Sequence, residues 1–403
     1  MTQQAGGEKA IIDPPAVGIY IHFPFCQRKC RYCDFYSEDT GLERCDQWLK
    51  ALLTEIELRC QAPNRLPAIR TIYIGGGSPN LLPPAQLSML VDSLHEHFDC
   101  RALGEFTLEL NPNRITPALV RRMQSVGVNR VSLGFQSLQT NELQVLGRLH
   151  TVADCLAAFA KLQTQGFTNC SIDLIYGIPG QTMASWQATI RQVLELQPQH
   201  LSLYNLTYEE GTPLTNALHQ GEILALDEEL EWEMYAWAAA ILAEAGFEHY
   251  EISNWAKPGF YSQHNLAYWH RQPYLGFGPS AHSFSGRQRS WNVNSIDQYL
   301  NLLAKGQLPL QGTELISDTK RDLEILMLAL RTNRGIALED LENICQDNAD
   351  RIIAQLLDRL GEQLEMLITI DDRRLRLTTR GWFLYDALVK VFLDLIKEED
   401  YGH

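Results

Sequence analysis

Positive charge is scarce in this chain. Its 34 Lys and Arg stand against 49 Asp and Glu, for a net charge of −15 at pH 7. A surface of that sign repels phosphate backbones and excludes broad nucleic-acid binding. A local basic pocket for one anionic ligand stays open. Long apolar runs are missing too: no stretch of about 18 apolar residues is there to span a bilayer. The first residues, MTQQAGGEKAIIDPPAV, have neither the basic start nor the apolar run of a secretory signal. The cytosol is therefore the expected compartment. The nine cysteines are an odd number, and in a reducing compartment they are poor evidence for disulfides. Internal repeats and low-complexity tracts are also lacking.

What remains is the profile of a globular protein with a large core: 403 residues, 45% apolar and 21% charged. The length suggests about two to three domains. From about residue 18 to 210, strand and helix patterns alternate. The strands are GIYIHF, TIYIGGG, EFTLELNP, RVSLGFQS, SIDLIYGIPG and LSLYNLTYE. Between them lie helical spacings, among them TPALVRRMQSVG, capped by Thr116, started by Pro117 and closed by Gly127. Six such units without hairpin turns build a parallel sheet. The expected fold is α/β, a partial (β/α)6 TIM-like barrel over 18–255 behind a tail at 1–17. Functional residues then belong at the C-terminal ends of the strands. A helix is expected at about 226–246, then one strand in HYEISNWA. Residues 256–314 read as an aromatic loop and connecting region. Residues 315–403 read as a small α+β, winged-helix-like domain whose hairpin turns at Asp371-Asp372.

Three of the cysteines, Cys26, Cys30 and Cys33, fall within eight residues. The next expected place, two residues on, holds Phe35. Zinc usually takes two separated C-x2-C pairs, and no second pair exists here. A four-iron cluster with four cysteines is coordinatively closed. Three thiolates leave one iron open to a substrate or cofactor. A zinc completed by Cys45 or a His, or a chance group of buried cysteines, is the alternative. Cys45, Cys60, Cys100, Cys155, Cys170 and Cys345 are scattered and read as small buried apolar residues.

The C-x3-C-x2-C loop, with Tyr32 before its last cysteine, resembles that of the radical S-adenosylmethionine (radical SAM) superfamily. The resemblance implies a [4Fe–4S] cluster on Cys26, Cys30 and Cys33. It also implies S-adenosylmethionine on the open iron, cleaved to a 5′-deoxyadenosyl radical by an electron from the cluster. Motifs from Tyr20 to about His282 resemble the branch that holds oxygen-independent coproporphyrinogen III oxidase and a haem-chaperone relative. Tyr20 and Tyr32 match aromatic positions near the cofactors. Gly75, Gly76, Gly77 and Ser78 form a GGGSP strand end whose exposed N–H groups suit the methionine carboxylate. Glu109, Gln136, Arg148 and Asp173 fall where the branch contacts S-adenosylmethionine. Glu109 and Asp173 interrupt apolar strands, so each needs a partner or ligand. Internal ion pairs are the bland alternative. His22 is a weaker candidate on the same strand face as Tyr20.

Two departures favour the chaperone side of that branch. Phe35 replaces the oxidase's further cysteine, and only nineteen residues precede Tyr20 where the oxidase carries a long extension. The segment HNLAYW resembles the H-N-x-x-Y-W signature associated with haem. It supplies His264, Asn265, Tyr268 and Trp269, with His270 following. An imidazole can ligate haem iron and aromatic rings suit a porphyrin face; a structural lid is the alternative. The expected function is a haem chaperone that binds the cluster, S-adenosylmethionine and haem. It would pass haem to acceptor haemoproteins, membrane-associated ones included. Coproporphyrinogen III decarboxylation and radical methyl transfer are the competing readings, and the first is not expected here.

Overall fold

The protein is described here by a computed structural model that covers residues 17–39, 44–60 and 68–400. Of the expected tail, only Val17 lies inside that range. Strands β1 (Val17–Phe23), β2 (Ile69–Gly76), β3 (Glu105–Leu110), β4 (Arg130–Gln136), β5 (Cys170–Tyr176) and β6 (His200–Asn205) lie parallel in chain order. Helices α1 (Cys45–Cys60), α2 (Pro84–His97), α3 (Pro117–Ser125), α4 (Thr140–Val145), α5 (Val152–Thr164) and α6 (Met183–Glu195) connect them. The caps follow the sequence: Thr116 accepts from Leu119 N, and Thr151 forms a capping box with Asp154. Helices α7 (Pro213–His219) and α8 (Glu228–Glu244) follow β6.

The pleat sorts each strand into two faces. On one face Ile19, Ile21, Phe23, Ile72, Ile74, Phe106, Leu108, Val131, Leu133, Ile172, Leu174, Leu201 and Leu203 join the main core. The edge of Phe23 meets Trp48 of α1 at 5.1 Å between centroids. Full burial of each such side chain contributes about 1.5–3 kcal/mol. The other face is polar. It carries Tyr20 and His22, Thr71 and Tyr73, Glu105 and Glu109, Arg130 and Ser132, Ser171 and Asp173, and His200 and Ser202. These groups bond to one another across the barrel interior, as described below.

The chain then departs from the sequence reading. HYEISNWA is two antiparallel strands, β7 (Glu248–Glu251) and β8 (Asn254–Ala256), and β8 pairs with β6. The expected aromatic loop is ordered structure. Helix α9 (Gln263–Trp269) leads to β9 (Tyr274–Phe277), a seventh parallel strand on the far side of β1. Strands β10 (His282–Phe284), β11 (Gln288–Asn292) and β12 (Leu310–Leu315) hem that edge antiparallel, with α10 (Ile296–Ala304) between the last two. Gly276 explains the misreading. A Cβ there would sit 1.9 Å from His282 O. The glycine that looks like a loop signal is required by close strand packing.

A small C-terminal unit completes the chain. It contains α11 (Asp318–Leu330), β13 (Ile336–Ala337), α12 (Leu338–Cys345), α13 (Ala349–Leu360), α14 (Leu364–Leu367), β14 (Ile368–Asp371), β15 (Arg374–Leu377), α15 (Thr379–Phe383) and α16 (Tyr385–Asp400). Its antiparallel sheet has the order β13-β15-β14, and its own core includes Leu326, Leu341, Leu375 and Phe392. The hairpin turns on Asp372-Arg373, one residue later than expected. Asp371 pairs with Arg374, and both turn residues have positive φ, 45° and 56°. That is the backbone of a type I′ turn, formed here without glycine. Among the described residues no helix is long and apolar enough to cross a membrane.

A buried ion pair helps tie this unit to the barrel. Glu251 is fully buried and accepts from Arg331 Nε at 3.0 Å. Replacing Arg331 with Ala strands a carboxylate in the interior, which costs about 3–5 kcal/mol. Urea unfolding should register that loss, and adding Glu251→Gln should recover much of it. A single-variant cost below about 1 kcal/mol would mean that the pair behaves as an exposed one.

Candidate functional site

The site occupies the C-terminal rim of the parallel strands and the lumen beneath it. Cys26, Cys30 and Cys33 lie on the loop after β1, all partly exposed. Cys26 N donates to Glu38 O at 2.9 Å, closing the loop on itself. Burial pushes the Cys33 thiol up to about 11, and the Cys26 thiol is raised by the same cause. Phe35, at the expected fourth-cysteine place, is 69% exposed. Among the described residues no three Cys, His, Asp or Glu side chains meet closely enough to hold a metal ion. A four-iron cluster takes its thiolates at separate corners, one to each iron, so one loop with three thiols and no fourth fits a cluster with an open iron.

The loop is braced by the segment 147–150. Arg148 Nη1 donates to Cys30 Sγ at 3.2 Å, and Arg148 Nη2 donates to Gly134 O at 3.1 Å and to Asn111 Oδ1. Arg148 therefore links the cysteine loop to the ends of β3 and β4. Ser78 Oγ lies 3.8 Å from Cys26 Sγ and accepts from Asn111 Nδ2 at 2.5 Å. A cavity of ≈ 30 Å³ opens between Cys30, Ser78, Asn111 and Arg148. Tyr32 packs into a satellite apolar cluster around Leu146, Ile178 and Leu214. Gln136 ends β4 in a bulge, with φ of 67°, a conformation uncommon outside glycine.

The glycines do not present free donors, contrary to expectation. Gly76 N donates to Glu109 Oε2 at 3.1 Å, and Gly77 N donates to Phe23 O at 2.7 Å. A Cβ on Gly76 would meet the His22 ring at 2.6 Å, and one on Gly77 would meet Phe25 O at 2.4 Å.

Below the rim the two candidate carboxylates are bonded within the lumen. Glu109 accepts from Tyr73 OH at 2.7 Å, and Asp173 accepts from Ser132 Oγ at 2.9 Å. Burial raises the pKa of both, Glu109 to about 7. Arg130 opposes the shift at each, and its Nε finds no hydrogen-bond partner. No salt bridge joins the carboxylates to it within the described structure, so the bland reading of direct ion pairs does not describe them. Tyr20 OH lies 3.0 Å from His22 Nδ1, and His22 Nε2 reaches Tyr36 O at 2.8 Å, so β1 is tied to the far end of the cysteine loop. Arg130, Asn111, Tyr73 and Ser132 escaped the sequence reading. The strand alternation that flagged Glu109 and Asp173 could have found Tyr73, Arg130 and Ser132.

His264 sits at the opposite, N-terminal end of the lumen. It is 1% exposed, with Nδ1 2.8 Å from Thr71 Oγ1 and Nε2 2.8 Å from Tyr268 OH. Burial holds its pKa at about 3. Both ring nitrogens are engaged, and the ring stacks on Tyr73 at 5.2 Å. Glu105 accepts from the N–H groups of Gln263 and His264 and seats the start of α9 on this floor. Asn265 N donates to Ser262 Oγ. Tyr268 and Trp269 line a cleft on the outer side, and His270 is exposed.

A parallel half-barrel with three cysteines on the loop after its first strand defines a radical SAM protein. Residues 20–193 match the radical SAM superfamily, and residues 316–384 match the HemN C-terminal domain. The fold is that of coproporphyrinogen III oxidase (HemN) from Escherichia coli, with a TM-score of 0.80 and 24% identity over 95% of this chain and 91% of that one. The heme chaperone HemW of Mycobacterium tuberculosis is 35% identical over 93% of this chain and 94% of its own length. HemW of Bacillus subtilis is 33% identical, covering 93% and 98%. The chain belongs to the HemW family of radical SAM proteins. A radical SAM domain implies a [4Fe–4S] cluster and S-adenosylmethionine.

The lumen makes a pH prediction with a definite sign. Glu109 moves from the ordinary 4.5 to about 7 in the folded protein. Between those values the folded state holds a proton that the unfolded chain has shed. Stability therefore falls as pH rises through that window, by up to ~1.4 kcal/mol per pH unit. The stability of Glu109→Gln minus that of wild type should grow from about pH 4.5 to 7, measured by urea unfolding. Parallel curves would show that Glu109 ionises as an ordinary carboxylate.

Proposed function

We propose that this protein is a haem chaperone that carries a [4Fe–4S] cluster on Cys26, Cys30 and Cys33 and S-adenosylmethionine at the open iron. In this reading it passes haem to acceptor haemoproteins, membrane-associated ones included, from the cytoplasm. The observation that carries the reading is the likeness to HemW chaperones over 93% of the chain, at 35% identity. The exposed Phe35 in place of a further cysteine supports it.

The cluster, when bound, supplies the electron and an open coordination site. The chain's own residues do the rest. Arg148 holds the cysteine loop against the strand ends and offers positive charge beside Cys30. Gln136 and Ser78 face the same rim. Glu109 and Asp173 wait below it, raised in pKa by burial, to accept from ribose hydroxyls or an ammonium group. Tyr20 and Tyr32 wall the two sides. Haem belongs to the outer side of α9, where Tyr268 and Trp269 offer aromatic surface. His264 and Asn265 act there from behind, His264 by fixing Tyr268 through its hydroxyl. The domain limits follow the same reading: a radical SAM body, the α9-to-β12 extension, and a C-terminal winged-helix-like unit.

Anaerobically reconstituted protein should show brown iron–sulfur absorption that is lost when Cys26, Cys30 and Cys33 are all changed to Ala. Cys45→Ala should keep it, because Cys45 is buried at the start of α1. Loss in that variant would overturn the three-ligand assignment.

The function itself is tested by offering the reconstituted protein haem and, separately, coproporphyrinogen III. Stoichiometric haem uptake followed by transfer to an apo-haemoprotein, with no carbon dioxide released, is the expected result. Protoporphyrinogen and carbon dioxide without haem uptake would replace the chaperone reading with the decarboxylase reading.

A further inference from the structure

The cleft outside α9 has a volume of ≈ 260 Å³ and lies between that helix, the sheet extension and α11 of the C-terminal unit. Tyr268, Trp269, Tyr274 and Phe284 give it aromatic walls. Its charged groups are two arginines and one carboxylate, with Gln272 beside them. Arg271 Nε donates to Glu324 Oε2 at 2.8 Å, and Arg289 Nη2 donates to Glu324 Oε1 at 3.0 Å. Both guanidinium groups stand over the Phe284 ring, at 4.7 and 5.7 Å from its centroid. Two forked cations thus converge on Glu324, while Arg271 Nη1 also donates to Gly286 O at 3.2 Å and Arg289 Nη1 lies 3.8 Å from Glu314 Oε2.

A structural ion pair needs one arginine. The second leaves donors over. Arg271 Nη2 is buried and has no hydrogen-bond partner, and the same is true of Trp269 Nε1 beside it. Such orphans are costly, because a buried donor gives up its bond to water and gains nothing in return. Arg271 is also held at φ of 54°, a backbone conformation uncommon for a residue with a side chain. Strain and unspent donors at one place mark a ligand site more readily than a brace. The chemistry is also specific. Guanidinium forks match carboxylates bidentately, and the aromatic walls match a flat conjugated ring.

Resting on the haem-chaperone reading, we propose that this cleft grips the carboxylate edge of a tetrapyrrole. Arg271 and Arg289 receive its two propionates, and Glu324 is an internal carboxylate that occupies the arginines until the ligand arrives. Recognition then rests on the propionate edge and needs no iron ligand from His264, whose ring is closed. Because Glu324 belongs to α11, the incoming ligand competes with a contact between the C-terminal unit and the sheet extension. Loading and the grip on that unit are coupled through one side chain.

The test uses full-length protein and three probes: haem, iron-free protoporphyrin IX and protoporphyrin IX dimethyl ester. Fluorescence or absorbance titration reads affinity, and a melting curve accompanies each variant. The free diacid should bind wild type about tenfold or more tightly than the dimethyl ester. Arg271→Met combined with Arg289→Met should lose that preference and leave ester binding unchanged. Glu324→Gln should bind the diacid several-fold more tightly, since an internal competitor is gone. A brace would give the opposite sign, with Glu324→Gln weakening binding as the arginine variants do. Equal affinity of wild type for diacid and ester overturns the site while leaving the haem reading intact. If the double variant fails to fold, the ester comparison and Glu324→Gln still decide the matter. Failure of wild type to bind any of the three porphyrins overturns the haem reading and this site with it.

Discussion

The inner face of the parallel strands carries groups that cannot be left alone. A parallel sheet is usually apolar on both faces. Here the outer face obeys that rule against the helices, and the inner face sets carboxylates, tyrosines, an arginine and histidines close together. Away from bulk water, each must find a partner or shift its charge. Tyr73 with Glu109, Ser132 with Asp173, Ser171 with His200 and Thr71 with His264 are the result. Three of these pairs are made between neighbouring strands and the fourth joins β2 to α9, so the polar groups of the lumen hold one another across the half-barrel.

The two ends of the lumen are finished differently. At the C-terminal rim the loop after β1, the GGGSP strand end, the bulge at Gln136 and the Arg148 segment lean on each other. Arg148 is the joint, because one guanidinium reaches a cysteine, a backbone carbonyl and an asparagine. At the N-terminal floor, α9 closes the opening. Its first N–H groups sit on Glu105, and its histidine plugs the barrel. The same seven-residue helix turns Tyr268 and Trp269 outward. The H-N-x-x-Y-W segment therefore divides its work: the histidine anchors inward and the aromatic pair faces the outer cleft.

That cleft is where the C-terminal unit meets the body through Glu324, and a second contact, Arg331 to Glu251, lies close by. Arg331 also stands 4.3 Å over the Trp269 ring. The aromatic end of α9 is thus clamped between charges from both parts of the molecule. Small movements of the C-terminal unit and the shape of the cleft are not independent, since they share Trp269, Arg271 and Glu324.

Local signals were enough for much of this. The strand alternation, the Thr116 cap and the cysteine spacing act over a few residues, so the sequence by itself determined the six strand–helix units, the cysteine loop and the presence of isolated carboxylates in apolar strands. Tertiary structure decided the rest. Strand β9 exists because a four-residue segment finds β1 more than 250 residues earlier, and no window of sequence contains that partner. The glycine N–H groups looked free because Glu109 and Phe23 lie on other strands or earlier turns. His264 looked like an open ligand because Thr71, which meets its Nδ1, is 193 residues away in the chain, although Tyr268, which meets its Nε2, lies only 4 residues on. A side chain's chemistry is written locally, but whether its lone pair is available depends on what the fold brings against it.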